Sequence, residues 1–136
     1  MSLLTEKKKT NFDDEKLSKA GLKAFFEIAK LWKLSTEEQL LLLGMRESER
    51  STLFNWKREP KKLPKDTLER ISYILGIYKS LQILFPDEEL ADSWIKKSNS
   101  AELFQGQSAL DIMKRGSVSD LFIVRQYLDA QRGGWC

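Results

Sequence analysis

The chain has 136 residues, a formal net charge of +3, 41% hydrophobic and 32% charged residues, which suits one small helical domain or two that share a core. Histidine is absent and the single cysteine is the last residue, so histidine general bases, Cys-His pairs, zinc clusters and disulfides are excluded. No Walker loop, GxGxxG pattern or long apolar run is present. These features predict a soluble cytoplasmic protein that is not an enzyme and uses no cofactor.

Residues 1–19 are polar and lysine-rich and read as a flexible basic arm able to touch phosphates. Helical spacing of Phe25, Ile28, Ala29 and Trp32 then predicts a helix over Leu22–Trp32. Ser35-Thr36-Glu37-Glu38 has the Ser-x-x-Glu form of a capping box and opens a short helix through Leu43, closed by Gly44. Ser48 is a cap for another short helix, Glu49 to Lys57, with Leu53 and Trp56 inward. Two short helices around a tight turn form a helix-turn-helix pattern.

Pro60 and Pro64 bracket the basic pair Lys61-Lys62. The longest helix starts at Pro64 or Asp66 and ends before Pro86. Leu68, Ile71, Leu75, Tyr78 and Leu81/Phe85 mark its buried face, and Gly76 suggests close approach by a neighbouring helix. Asp87 caps a further helix carrying Leu90, Ala91, Trp94 and Ile95, and Ser108 caps Ala109–Lys114, which Gly116 ends. A last helix over Ser119–Arg132 places Leu121, Val124 and Leu128 on one stripe. No composition break flanks the long helix, so the two halves are expected to share packing rather than hang on a linker. The fold class is therefore all-α, with segments 20–85 and 86–136 as its two parts.

In a helix-turn-helix the second helix enters the major groove and its early side chains meet bases and phosphates. The candidate DNA contacts are Arg50, Ser51, Thr52, Asn55, Lys57, Arg58, Lys61 and Lys62. The first 62 residues carry 14 Lys+Arg against 10 Asp+Glu, whereas the remainder carries 9 against 10. Glu47 and Glu49 oppose DNA binding, or else serve the dipole of their own helix.

The order Trp94, Phe104, Gly106, Leu110, Asp111 and Gly116, followed by a final helix and the ending Arg132-Gly133-Gly134-Trp135, resembles the C-terminal toxin-binding domain of the Xre/MbcA/ParS antitoxin family. Trp32-Lys33-Leu34-Ser35, Leu42-Leu43-Gly44, Ser51 to Lys57 and Asp66 to Tyr78 resemble the Xre-like helix-turn-helix half of that family. Ser98-Asn99-Ser100 replaces its usual Pro-Asn, and Ala109 replaces proline at the helix start, which touches loop stiffness rather than the fold. The resemblance implies an antitoxin whose partners are a cognate RES-domain toxin that depletes NAD and, through the first half, operator DNA, with the chain acting as a homodimer. It further implies a toxin-binding set of Arg125, Tyr127, Leu128, Gln131, Arg132, Gly133, Gly134 and Trp135. On residues alone, Trp94, Phe104 and Leu110 read as core, and Trp135 either folds back on the bundle or projects as a plug for a partner's pocket. Cys136 receives no role. The alternatives are a stand-alone repressor whose C-terminal half only dimerises, and a small helical enzyme.

Overall fold

The computed structural model describes the backbone of residues 3–133 and the side chains from residue 14 onward. The described residues form seven α-helices and no strand: α1 (Leu3–Leu31), α2 (Thr36–Leu42), α3 (Arg50–Arg58), α4 (Lys65–Leu84), α5 (Glu88–Ser93), α6 (Ala109–Met113) and α7 (Val118–Gln131). Short 3-10 turns, Glu47–Glu49 and Trp94–Lys96, precede α3 and follow α5.

Helix α1 is longer than its apolar stripe predicts, since its backbone starts at Leu3 and takes in most of the segment read as an arm. That segment holds leucine, lysine and glutamate, good helix formers, and no glycine or proline before Gly21. Gly21 faces α4 closely: a Cβ there would lie 3.4 Å from Ile71 Cγ2. Leu22, Phe25, Ile28, Ala29 and Trp32 are buried, as their spacing requires.

The capping box at Ser35 forms, with Ser35 Oγ accepting from Glu38 N and Glu38 Oε1 accepting from Ser35 N. Gly44 ends the α2 turn at φ +71°. Ser48, by contrast, caps nothing. The backbone passes through the 3-10 turn, where Glu49 Oε1 accepts from Arg46 N, and α3 opens at Arg50.

Helix α4 is the shared wall of the molecule and packs against α1, α5 and α7. Because neighbours cover it on several sides, its burial is wider than the stripe read from sequence: Ile74 and Ile77 are sealed along with Ile71 and Leu81, while Leu68, Leu75, Tyr78 and Phe85 are half-buried. Helix α7 runs beside α4 in the same direction, as Tyr73 meets Phe122, Gly76 meets Arg125 and Ser80 meets Asp129 in turn. The neighbour that needs Gly76 is a side chain rather than a backbone, since a Cβ there would fall 2.5 Å from Arg125 Nε.

One side chain joins the parts. Arg70, 8% exposed, donates from Nε to Asp66 Oδ2 at 2.9 Å and from Nη2 to the Gly116 carbonyl at 2.9 Å. Its guanidinium also lies against Gly44, where a Cβ would be 2.5 Å from Cζ. The α2–α3 turn, α4 and the α6–α7 turn thus meet on one cation. Lys114 Nζ, 3.6 Å from Glu38 Oε2, adds a second link between α2 and the segment after α6.

Arg70→Ala is expected to lose about 2–4 kcal/mol of stability in urea unfolding, because it removes charge-assisted bonds and leaves the Gly116 carbonyl unsatisfied. Gly44→Ala is expected to lose about 1–2 kcal/mol from its positive φ alone. Since the methyl group added at that turn would also displace Arg70, the double variant should fall short of the sum of the two losses. Strict additivity would show that the two residues are energetically independent.

Candidate functional site

Two exposed faces carry the chemistry suggested by the sequence. The first is the outward side of α3. Ser51, Asn55 and Arg58 are exposed on one helical face, and Asn55 Oδ1 accepts from Arg58 Nη2, so these two side chains present together. Phe54, 44% exposed, stands beside them, and its place three residues after Ser51 and four before Arg58 on α3 is the sequence signal of an outward ring. An exposed phenyl there suits contact with a thymine methyl. Thr52 is half-buried, and Lys61 and Lys62 are exposed in the link after α3. Lys57 turns back toward α1, its Nζ 5.9 Å from the Phe26 ring centroid.

Arg50 differs from the other candidates. Its Nε donates to Glu47 Oε1 at 2.8 Å and its Nη2 to Glu37 Oε1, so it braces α2 against the start of α3. These bonds hold the Arg50 pKa above its ordinary value, the Glu37 bond first and Glu47 next. Glu37 is lowered from 4.5, chiefly by a backbone hydrogen bond and then by Arg50. The brace also answers the charge objection raised by Glu47 and Glu49, for each carboxylate is occupied locally, by Arg50 and by Arg46.

The second face lies on α7. Asp129 sits between two arginines: Oδ2 is 3.6 Å from Arg125 Nε and Oδ1 is 3.8 Å from Arg132 Nη1. The buried Ser80 hydroxyl donates to Asp129 Oδ1 at 3.0 Å and accepts from Arg132 Nη1 at 3.3 Å. Arg125 also reaches the Ser72 carbonyl at 3.5 Å and lies 5.9 Å from the Tyr73 ring centroid. Phe122, 44% exposed, meets the same Tyr73 edge-on at 5.6 Å. Phe122, Arg125, Asp129 and Arg132 step by three and four, so they form one stripe whose first member, Phe122, the sequence reading did not single out.

The other residues named for this face divide. Gln131 is exposed. Leu128 is 1% exposed and packs in the core, so it has no surface to offer a partner. Tyr127 is half-buried, stacked on Trp94 at 6.4 Å and edge-on to Phe104 at 5.0 Å, and Trp94 meets Phe104 at 5.9 Å. These three rings hold the 97–108 loop to α7, which makes Tyr127 a support for the face. Gly133 ends α7 at φ +84°. Gly134, Trp135 and Cys136 lie outside the described residues.

The loop that lacks the prolines is held by bonds instead. Asn99 N donates to Gln107 O at 3.1 Å, Gly106 N to Asn99 O at 2.9 Å, and Ala101 N to Asn99 Oδ1 at 2.9 Å. Asp111 does more than favour a helix dipole: its Oδ2 accepts from Ser108 N at 3.2 Å while Ser108 Oγ accepts from Asp111 N at 3.1 Å. Those bonds to Ser108, its backbone first, lower the Asp111 pKa. Among the described residues no group of three or more His, Cys, Asp or Glu could hold a metal ion, and no helix is long and apolar enough to cross a membrane.

Because the folded-state pKa of Glu37 is lowered, its brace contributes stability above the ordinary value and loses it as pH falls through the depressed one. Glu37→Gln should therefore show a smaller fall in melting temperature than the parent on acidification from about pH 5 to pH 3. Equal falls would show that the Glu37–Arg50 pair adds nothing to folding.

Comparison with known proteins matches both parts of the chain to described domains. Residues 80–134 match the antitoxin Xre/MbcA/ParS C-terminal toxin-binding domain, and residues 15–76 match the antitoxin Xre-like helix-turn-helix domain. The uncharacterised protein y4oB of Sinorhizobium fredii (strain NBRC 101917 / NGR234) is 55% identical over 115 residues, 85% of this chain and 86% of that relative.

Proposed function

Because the chain belongs to the Xre/MbcA/ParS antitoxin family, with a toxin-binding domain behind an Xre-like helix-turn-helix, we propose that it neutralises a cognate RES-domain, NAD-depleting toxin in the cytoplasm. It does so as a binding protein, without chemistry of its own, by covering or entering the toxin's active-site cleft.

The observation that carries this reading is the α7 stripe. Arg125 and Arg132 flank Asp129 on a surface that leads directly into residues 133–136. An internal carboxylate between two arginines holds them in place, and a carboxylate or other acceptor at a partner's cleft can replace it. The planar guanidinium suits such an exchange, because its fork pre-organises two bonds at once. Phe122 adds an apolar anchor at the start of the stripe, and the sequence continues three residues past Arg132 to Trp135, a residue type suited to anchoring in a partner's pocket. Ser80 and Tyr73 of α4 set the height of the arginines, so the long helix belongs to the toxin-facing side as well.

In its second role the chain represses its own operon through α3. Ser51, Phe54, Asn55 and Arg58 read the groove, while Lys61 and Lys62 contact phosphate. Arg50 shapes the reading helix by bracing it. Helix-turn-helix proteins read paired half-sites as two-fold dimers, and a homodimer fits that arrangement.

Arg125→Gln with Arg132→Gln is expected to weaken toxin capture at least tenfold in calorimetric titration, while the circular-dichroism melt shifts only slightly. A chain ended after Arg132 is expected to keep its helix content and lose toxin inhibition. Full inhibition by both variants would exclude this face as the blocking element.

A further inference from the structure

A second basic surface lies on α1, outside both faces described above. Lys16, Lys19, Lys23, Phe26 and Lys30 step by three, four, three and four, and Lys33 follows in the turn after the helix. All five lysines are exposed, and Phe26 is half-buried. At a rise of about 1.5 Å per residue the stretch from Lys16 to Lys30 is about 21 Å long. One DNA strand presents about six phosphates over that distance, at about 3.4 Å each.

The stripe adjoins the helix-turn-helix. Lys57 of α3 sits over Phe26 of α1, and two shallow recesses of about 460 Å³ and 400 Å³ flank that contact. Lys19, Lys23 and Pro60 line one recess, and Lys30, Lys33 and Gln39 line the other, with Phe26 and Lys57 common to both. Among the described side chains two carboxylates border the stripe: Glu15 holds Lys19 at 3.4 Å, and Glu27 lines both recesses. The lysines, with Lys57, outnumber them three to one. Four lysines aligned on α1, with Lys33 just beyond it, repel one another. A polyanion removes that repulsion and releases its counterions on contact.

We propose that the α1 stripe is a second contact to duplex DNA, gripping the phosphate backbone beside the bases read by α3. This rests on the reading of α3 as a DNA reader and assigns the sequence-independent share of affinity to a different helix. It makes α1 the grip and α3 the reader.

The test uses the full chain, a random-sequence duplex, and the duplex upstream of the chain's own reading frame, with binding measured across a salt series. Lys16→Gln, Lys23→Gln and Lys30→Gln together spare the paired Lys19 and keep helix propensity nearly level. The slope of log affinity against log salt should become shallower by roughly 2–3 on both duplexes, as expected for three lost phosphate contacts. Asn55→Ala should instead lose preference for the upstream duplex with its slope nearly kept. The matching Lys→Arg triple should bind as the parent does, and a loss there would show that charge is not the agent and overturn the proposal. An unchanged slope in the Gln triple, with parental binding intact, overturns the α1 contact alone. If the parent binds neither duplex even at low salt, the reading of α3 falls with it. Loss of toxin capture with unchanged DNA binding would assign the stripe to the toxin and also overturn the proposal.

Discussion

The arrangement depends on the buried guanidinium of Arg70. It is held by Asp66 on its own helix, by the Gly116 carbonyl from the C-terminal part, and by the space that Gly44 leaves in the helix-turn-helix. One nitrogen, Nη1, is buried with no partner, which is a cost that a pair of apolar side chains would avoid. What the cation provides instead is alignment: three chain segments far apart in sequence must meet at one height for its bonds to form. Apolar packing alone would tolerate slippage between α4 and the two turns.

That alignment connects the two faces physically. Ser80, Gly76 and Tyr73 position the arginines of α7, and the opposite side of α4 packs on α1. The α3 side is fixed in turn by Arg50 against Glu37 and Glu47, and α2 by the salt bridge from Lys114 to Glu38. The chain therefore reads as one packed body with two exposed faces, in which polar contacts set the geometry and the sealed apolar side chains, Leu22, Phe25, Ile74, Ile77 and Leu121 among them, supply the burial.

Much of this was legible in the residues. Helical spacing located most of the helices, and Ser35, Asp87 and Ser108 each cap as their neighbours suggested. Gly44 and Gly116 end helices at positive φ. Three things escaped. The charge of residues 1–19 hides good helix propensity and suggests an arm, yet the backbone is helical from Leu3. Leu128 and Tyr127 looked available to a partner because the resemblance names a whole segment, and only packing separates the inward residues from the outward ones. Arg70 offered no local signal, since two of its three anchors lie far away in the chain, one of them beyond residue 110.

The two domain matches end and begin at residues 76 and 80, inside α4, which spans Lys65–Leu84 without a break. A chimera spliced at that seam would graft a foreign α7 onto a ridge shaped for another guest. Recombination between relatives would then succeed only when Tyr73, Gly76 and Ser80 travel with the helix they support. Inheritance of partner preference would accordingly follow a stretch of chain that begins well upstream of the surface it serves.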